Sequence, residues 1–141
     1  MATIDRRIIA FIRKHHVLTM ATCAAHQPWC ASLFYAYMEK ENVFVVTSDA
    51  NTRHLAEAAE NPAIAGAIVL ETKTVGLIRG LQFQGALLRP DEELLRQARR
   101  AYLHRFPFAI LGNTPIWTLR PIFLKYTDNR LGFGKKIIVT L

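Results

Sequence analysis

Residues 17–48, VLTMATCAAHQPWCASLFYAYMEKENVFVVTS, decide the fold class of this chain. The segment contains three runs rich in β-branched and aromatic residues, 17–25, 29–38 and 43–48, separated by His-Gln-Pro and by Glu-Lys-Glu-Asn. Such runs between turn-forming residues predict three antiparallel strands joined by short loops. Residues 17–38 contain no Asp, Glu, Lys or Arg, but the polar interruption at 26–28 breaks the apolar stretch that a membrane-spanning helix needs. We therefore expect a buried hairpin and no membrane span.

Three amphipathic helices accompany these strands. The first follows Thr3, a candidate N-cap, because apolar residues repeat at helical spacing through Ile12. Its basic residues predict a solvated face, with contact to a membrane or a nucleic acid as the alternative. The second helix is predicted to begin at Asn51 or Thr52 and to run through Glu60, because proline at 62 disfavours helix at the residue before it. The third begins at 91–93, Asp-Glu-Glu, and ends at a proline, residue 107.

The remaining β-type segments complete an antiparallel fold. Five further strands are predicted, at 63–70, 75–88, 116–119, 122–127 and 133–141. Gly80 and Gly85 indicate bulges or close backbone approach, and Pro121 predicts an edge or a break between two strands. Strands and helices do not alternate regularly, so the fold class is α+β and mainly β, with closure into a barrel as the way to remove sheet edges. At 141 residues, the chain is expected to form a single domain, residues 1–141.

The charge distribution favours an anionic ligand or partner. Residues 1–93 contain nine basic and ten acidic side chains, whereas residues 94–141 contain nine basic side chains against Asp128 alone. The five histidines and two cysteines lack the spacing of a zinc site, and nothing at the N-terminus resembles a signal peptide, so a metal-free cytoplasmic protein is expected. A nucleic-acid surface in the basic last third is an alternative that no recognised motif supports.

The two cysteines could face each other across the first hairpin. If His26 and Gln27 formed a two-residue turn, Cys23 and Cys30 would each stand three residues from it and would pair across the strands. That arrangement would allow a redox-active pair. Cytosolic thiols are normally reduced, so free cysteines are the expected state.

Several segments together resemble a known family. They are HQPWCASLFYAYMEKENVFVVTS, TRHLAEAAENP, RGLQFQGALLRP, AYLHRFP, IWTLRPIFLKYTDN and RLGFGKK, and they cover nearly the whole chain in this order. They resemble the pyridoxamine-phosphate-oxidase-like FMN-binding split-barrel proteins, in particular the YhbP-like bacterial branch. The resemblance implies an antiparallel Greek-key split barrel of about six to eight strands with three flanking helices. It also implies a homodimer that binds flavin between its subunits.

The resemblance also implies a set of cofactor-binding residues. Thr47 matches the threonine that ends the third strand of the family, and Arg53 matches a basic residue that contacts the FMN phosphate. His54 stands where the family usually has lysine. A helix N-terminus is itself a suitable phosphate site, because its free N–H groups and dipole favour an anion. The expected cofactor-binding set is Thr47, Ser48, Thr52, Arg53, His54 and Trp117, with a helix cap and packing as the alternative roles of its members.

The chain departs from the family at three positions. Ala31 and Ala36 stand where the oxidases have the arginine and lysine that hold the FMN phosphate and ring. Gly132 stands where the catalytic enzymes have histidine, so vitamin oxidation is not expected. The sequence therefore predicts a flavin-binding protein with weak FMN affinity, and a flavin-dependent oxidoreductase whose substrate and catalytic residues it does not identify. The alternative is a cofactor-free barrel or one that binds heme or another ligand.

Overall fold

The computed structural model describes residues 3–111 and 114–141. It contains three α-helices, α1 (Arg6–Lys14), α2 (Arg53–Glu60) and α3 (Glu92–Arg105). Its strands are β1 (Val17–Ala24), β2 (Gln27–Met38), β3 (Val43–Thr47), β4 (Ala63–Val69), β5 (Arg79–Leu88), β6 (Ile116–Asp128) and β7 (Lys136–Thr140). None of the helices in the described residues is long and apolar enough to span a membrane.

The strands form one antiparallel sheet that closes on itself. Its order is β3-β2-β1-β4-β5-β6-β7, and β3 also pairs with β6. Six strands thus form a ring and β7 extends it from β6. This is the split-barrel arrangement that the resemblance implied, and the antiparallel barrel with three helices is confirmed.

The interior of the ring is apolar and aromatic. Phe44 and Phe83 stack with ring centroids 5.0 Å apart, and Gly66 makes room for Phe83, because a Cβ at 66 would lie 2.3 Å from that ring. Helix α1 packs against the same core, where the Tyr35 hydroxyl donates to the carbonyl of Ile12 over 2.6 Å. The N-cap of α1 is Asp5, whose side chain accepts from the backbone N–H of Arg7, so the expectation of Thr3 as the cap was wrong. An aspartate bound to both the backbone and the side chain of Arg7 provides the stronger cap.

The β1–β2 turn lies one residue earlier than expected. Ala25 and His26 both have positive φ and form the two-residue loop, and Ala24 pairs with Gln27. This register places Cys23 opposite Pro28 and places Cys30 opposite Ala21. The condition for a cross-strand cysteine pair is therefore not met, and both cysteines are free and exposed.

The break predicted at Pro121 is absent. The segments 116–119 and 122–127 are one strand, β6, so the sheet has seven strands in the described residues. Pro121 pairs with Gly85 at an irregularity in the β5–β6 register, and a bulge tolerates a residue that has no N–H to donate. The bulge predicted at Gly85 is confirmed, whereas the register stays regular at Gly80.

Two strand limits also differ from the sequence expectations. β5 begins at Arg79, because Val75–Leu77 forms a single 3-10 turn, and β7 begins only at Lys136, after a second such turn at Asn129–Leu131. Glycines at 132 and 134, both with positive φ, delay the last strand.

Helix α3 lies on the outside of the ring and α2 lies against β1. The Asp91 side chain caps α3 by accepting from the N–H of Leu94, and the helix ends before Pro107 as expected. Ala98 and Tyr102 bury its inner face against Ala36 and neighbouring residues of β3 and β6. The helices thus leave the end of β3 and the beginning of α2 close to the start of β6.

Candidate functional site

Three polar side chains meet where β3 leads into α2. Ser48 Oγ lies 2.7 Å from His54 Nε2 and 3.4 Å from Thr52 Oγ1, and Thr52 Oγ1 lies 3.3 Å from the same imidazole nitrogen. We call Ser48, Thr52 and His54 the β3–α2 polar cluster. The structure therefore brings together three of the six residues that the sequence selected.

The first turn of α2 has unsatisfied backbone donors. Thr52 occupies the N-cap position, but its hydroxyl donates to the carbonyl of Asp49 over 2.8 Å and makes no capping bond to the helix. The first N–H groups of a helix have no partner within the helix, and a helix N-terminus favours negative charge. Because the Thr52 hydroxyl proton is already used, the donors that the cluster offers to an anion are the Ser48 hydroxyl, the His54 imidazole and the backbone N–H groups.

His54 is neutral over a wider pH range than a free histidine. Its side chain is half-buried, and burial lowers its pKa below the usual 6.5. A positive charge on His54 is consequently available only in acid, unless a bound anion raises the pKa again.

Arg53 points away from the cluster. Its Nε donates to Glu57 Oε2 over 2.6 Å, and its guanidinium carbon lies 4.0 Å from the centroid of the Trp29 ring. Glu57 also accepts from the hydroxyl of Thr22 over 2.9 Å and is thereby fixed to β1. The sequence prediction missed this pairing, although an arginine four residues before a glutamate on a helix is a recognisable ion-pair signal.

Thr47 and Trp117 border the cluster from other directions. Thr47 Oγ1 donates to the hydroxyl oxygen of Tyr102 over 3.2 Å, and Trp117 Nε1 donates to the carbonyl of Ser48 over 3.3 Å. The guanidinium of Arg89 lies 4.7 Å from the Trp117 ring centroid. Trp117 thus holds the backbone of the cluster, which is a role that the sequence did not specify.

A pocket lies beside Thr47, the residue before Ser48. It has a volume of about 350 Å³ and is lined by Thr47, Arg99, Tyr102, Leu103, Ala109, Thr114 and Ile116. Pockets for small organic ligands usually span roughly 300 to 1,000 Å³. Sequence reasoning did not select Arg99, for which the basic character of the last third was the only signal.

The two alanines that depart from the family occupy different surroundings. Ala36 is 3% exposed and packs beneath α3, so a lysine at this position would have to displace that helix. Ala31 is half-buried and pairs with Met20 of β1. Neither residue supplies a polar group to the cluster.

Solved structures with the same fold include ligand-binding proteins. The chain superposes on a heme binding protein from Mycobacterium smegmatis with a TM-score of 0.79 at 20% identity, covering 99% of this chain and 60% of that one. It superposes on HutZ, the heme storage protein of Vibrio cholerae, with a TM-score of 0.71 at 20% identity, covering 85% and 91%. For an FAD-binding protein from Mesorhizobium loti the TM-score is 0.70 at 12% identity, covering 86% and 92%.

The sequence relatives are much closer. No protein-family model matches the sequence. The UPF0306 protein YhbP of Escherichia coli O157:H7 is 40% identical over 131 residues, which cover 93% of this chain and 89% of that protein. The UPF0306 protein of Enterobacter sp. (strain 638) is 41% identical over 137 residues, covering 97% and 94%. With this identity over nearly its full length, the chain belongs to the UPF0306 family of YhbP.

Proposed function

We propose that this protein binds an FMN-type flavin and that the β3–α2 polar cluster holds its phosphate. The observation that carries the proposal is the polar cluster at the uncapped start of α2, where the Ser48 hydroxyl lies 2.7 Å from the imidazole of His54. Donors converging on a helix N-terminus fit a phosphate. The resemblance to FMN-binding split barrels and the likeness of the fold to an FAD-binding protein support the same ligand class.

The residues fit a flavin phosphate only in part. Hydroxyl, imidazole and backbone donors are present, but Arg53 is engaged with Glu57 and no lysine or arginine stands at 31 or 36. A phosphate must give up its hydration on binding and recovers less of that free energy when fewer cations face it. We therefore expect weak FMN affinity and a purified protein that loses the flavin.

The pocket beside Thr47 would take the flavin ring. Thr47 immediately precedes Ser48, and the pocket combines apolar side chains with Tyr102 and Arg99. When bound, the isoalloxazine would supply the electron-transfer chemistry, so the protein would act as a flavin-dependent oxidoreductase. The residues of the pocket would orient the ring and exclude water from it.

The pH dependence of FMN binding is expected to report His54. Because burial lowers the pKa of His54 below the usual 6.5, its protonated form predominates only in more acidic solution, where it adds a positive charge next to the phosphate. FMN affinity should therefore rise as the pH falls below 6.5. His54→Gln keeps a hydrogen-bond donor but does not titrate, and ionisation of the phosphate itself is common to both proteins. Fluorescence titrations at several pH values measure the difference, and equal pH profiles for the two proteins would exclude His54 from the site.

Glu57→Gln is expected to strengthen FMN binding about three- to tenfold. The substitution removes a carboxylate from α2 and releases Arg53, and a charge-assisted contact from arginine contributes about 1.5 kcal/mol or more. Arg53→Ala in the otherwise unchanged protein should weaken binding only about twofold, because the paired guanidinium is already neutralised. Isothermal titration calorimetry separates these outcomes. A large loss in Arg53→Ala with no gain in Glu57→Gln would mean that Arg53 already binds the phosphate.

We further propose a homodimer formed in the cytoplasm from a single-domain chain. Residues 27–34 of β2 are exposed or half-buried, with Trp29 44% and Phe34 59% accessible, and a strand with such apolar surface is suited to a partner. Light scattering should give twice the chain mass of 16.0 kDa at all accessible concentrations. A mass of one chain would refute the dimer and any site formed between subunits.

Heme is the second candidate ligand of the same barrel. The names of two proteins of the same fold identify them as binding or storing heme. The incomplete set of cations for a flavin phosphate also favours testing a ligand other than FMN. Titration of the purified protein with FMN and with hemin, followed by absorbance, distinguishes the two. A saturable flavin difference spectrum supports FMN, whereas a stoichiometric Soret band with no flavin response would replace the proposal by heme binding. A protein that responds to neither would be a barrel without these cofactors.

A further inference from the structure

A basic cavity lies between α1, the start of β5 and the end of β6. Its volume is about 150 Å³, and its lining is Arg7, Ala10, Phe11, Lys14, Arg79, Tyr126 and Arg130. We call it the α1–β6 cavity. It shares no lining residue with the pocket beside Thr47 or with the β3–α2 polar cluster.

Helix periodicity directs one face of α1 into this cavity. Positions 7, 10, 11 and 14 follow the spacing at which side chains share one side of a helix. The basic residues of α1 are all exposed, as expected, and two of them, Arg7 and Lys14, also line this cavity. Arg7 and Lys14 are the first and last of these helix positions, β5 supplies Arg79, and the 3-10 turn after β6 supplies Arg130.

Carboxylates neutralise two of the four cations. Arg7 Nη2 lies 2.8 Å from Asp5 Oδ2, and Arg130 Nη2 lies 2.9 Å from Asp128 Oδ2. Within residues 3–111 and 114–141, no carboxylate lies within ion-pair distance of Lys14 or of Arg79. The remaining residues of the chain, 1–2 and 112–113, include neither Asp nor Glu. Four cations and two carboxylates leave an excess of two positive charges at the cavity.

Arg79 carries an unsatisfied donor there. The Nε of Arg79 is buried and makes no hydrogen bond within the described residues, although it is part of a positively charged guanidinium. A buried donor without a partner is unfavourable, particularly on a charged group, and an anion would satisfy it. The positive charges at the cavity also act on His15. Its pKa is lowered mainly by burial and further by the charges of Arg79 and Lys14.

We propose that the α1–β6 cavity binds a small tetrahedral oxyanion of the phosphate class between Lys14 and Arg79. The volume lies below the range of pockets for drug-sized molecules, which favours a single phosphoryl group over a larger ligand. The group is either free inorganic phosphate or the terminal phosphate of a small organic phosphomonoester. The site is independent of the proposed flavin site.

Calorimetric titration with inorganic phosphate at constant ionic strength tests this proposal. Lys14→Gln should weaken binding about fivefold and Arg79→Gln about tenfold or more, since each removes one charge-assisted contact. Lys73→Gln removes the same charge from an exposed loop outside the cavity and should leave the affinity unchanged. Lys14 is exposed, so its variant remains informative even if Arg79→Gln fails to fold.

Two further measurements identify the source of the phosphoryl group and distinguish the α1–β6 cavity from the proposed flavin site. Phenyl phosphate that binds as tightly as inorganic phosphate would indicate an organic phosphomonoester, and exclusion of phenyl phosphate would indicate the free ion. His54→Glu should disturb FMN binding, and Lys14→Gln should weaken phosphate binding by the same factor in the His54→Glu background as in the wild type. The proposal is overturned if the wild-type protein shows no saturable phosphate binding, or if Lys14→Gln binds phosphate as well as the wild type does.

Discussion

His54→Glu is expected to weaken FMN binding about thirty- to hundredfold, a loss of about 2 to 3 kcal/mol in binding free energy. The substitution places a carboxylate beside Ser48 and Thr52, at the uncapped start of α2. It would repel the flavin phosphate at close range in partly buried surroundings, where charges are less screened than in water. A direct titration of FMN fluorescence measures the loss.

Ala59→Glu is the matched control for this variant. It adds the same charge to an exposed position of the same helix, away from the cluster. Its FMN affinity should stay within about twofold of the wild type, because exposed charges separated by more than a Debye length, roughly 8 Å, are largely screened. Equal losses of FMN affinity in the two variants would mean that the affinity depends only on the net charge of α2 and that the phosphate lies elsewhere.

Gly85→Ala is expected to lower the free energy of unfolding by about 3 kcal/mol, at the upper end of the usual effect of overpacking. A Cβ at position 85 would lie 2.3 Å from the carbonyl oxygen of Arg120 and 2.9 Å from the Cα of Pro121. Both atoms belong to the backbone of β6, so the conflict cannot be relieved by rotating a side chain. Urea denaturation monitored by circular dichroism gives the free-energy difference.

Gly76→Ala provides the control for that measurement. Nothing lies within 4 Å of a Cβ built at 76, and this position is exposed. Its stability should stay within about 0.5 kcal/mol of the wild type, as is usual for surface substitutions. If Gly85→Ala were equally harmless, the result would contradict the close contact of β5 with β6 at the bulge.

The same bulge explains why the strand count could be predicted only approximately. Residue types and periodicity specified β1, β2, β3 and the three helices, because those signals are local. Pro121 reads locally as a break, but the partner that accommodates it is Gly85, 36 residues earlier, and only the register of β5 with β6 reveals this. The position of the first turn was likewise missed, because an alanine such as Ala25 does not usually signal positive φ.

The candidate site could likewise be predicted only in part from the sequence. Ser48, Thr52 and His54 lie within seven residues of one another, so a strand end followed by a helix start was enough to bring them together. Arg53 pairs with Glu57 on the same helix, which is a local signal, but its contact with Trp29 depends on the approach of β2. The bond from Trp117 to the backbone of Ser48 depends on the β3–β6 pairing that closes the ring. Contacts of this kind arise from the topology and carry no signal in the local sequence.

A parallel fluorescence titration with FMN and with riboflavin tests the central claim most directly. The two flavins share the isoalloxazine ring and differ by the phosphate, so their affinity ratio reports the phosphate site alone. With the phosphate at the β3–α2 polar cluster, the fluorescence of FMN should be quenched saturably by the protein. FMN should bind at least about tenfold more tightly than riboflavin, which corresponds to about 1.4 kcal/mol. Equal affinity for the two flavins, or no saturable quenching by FMN, would contradict the account.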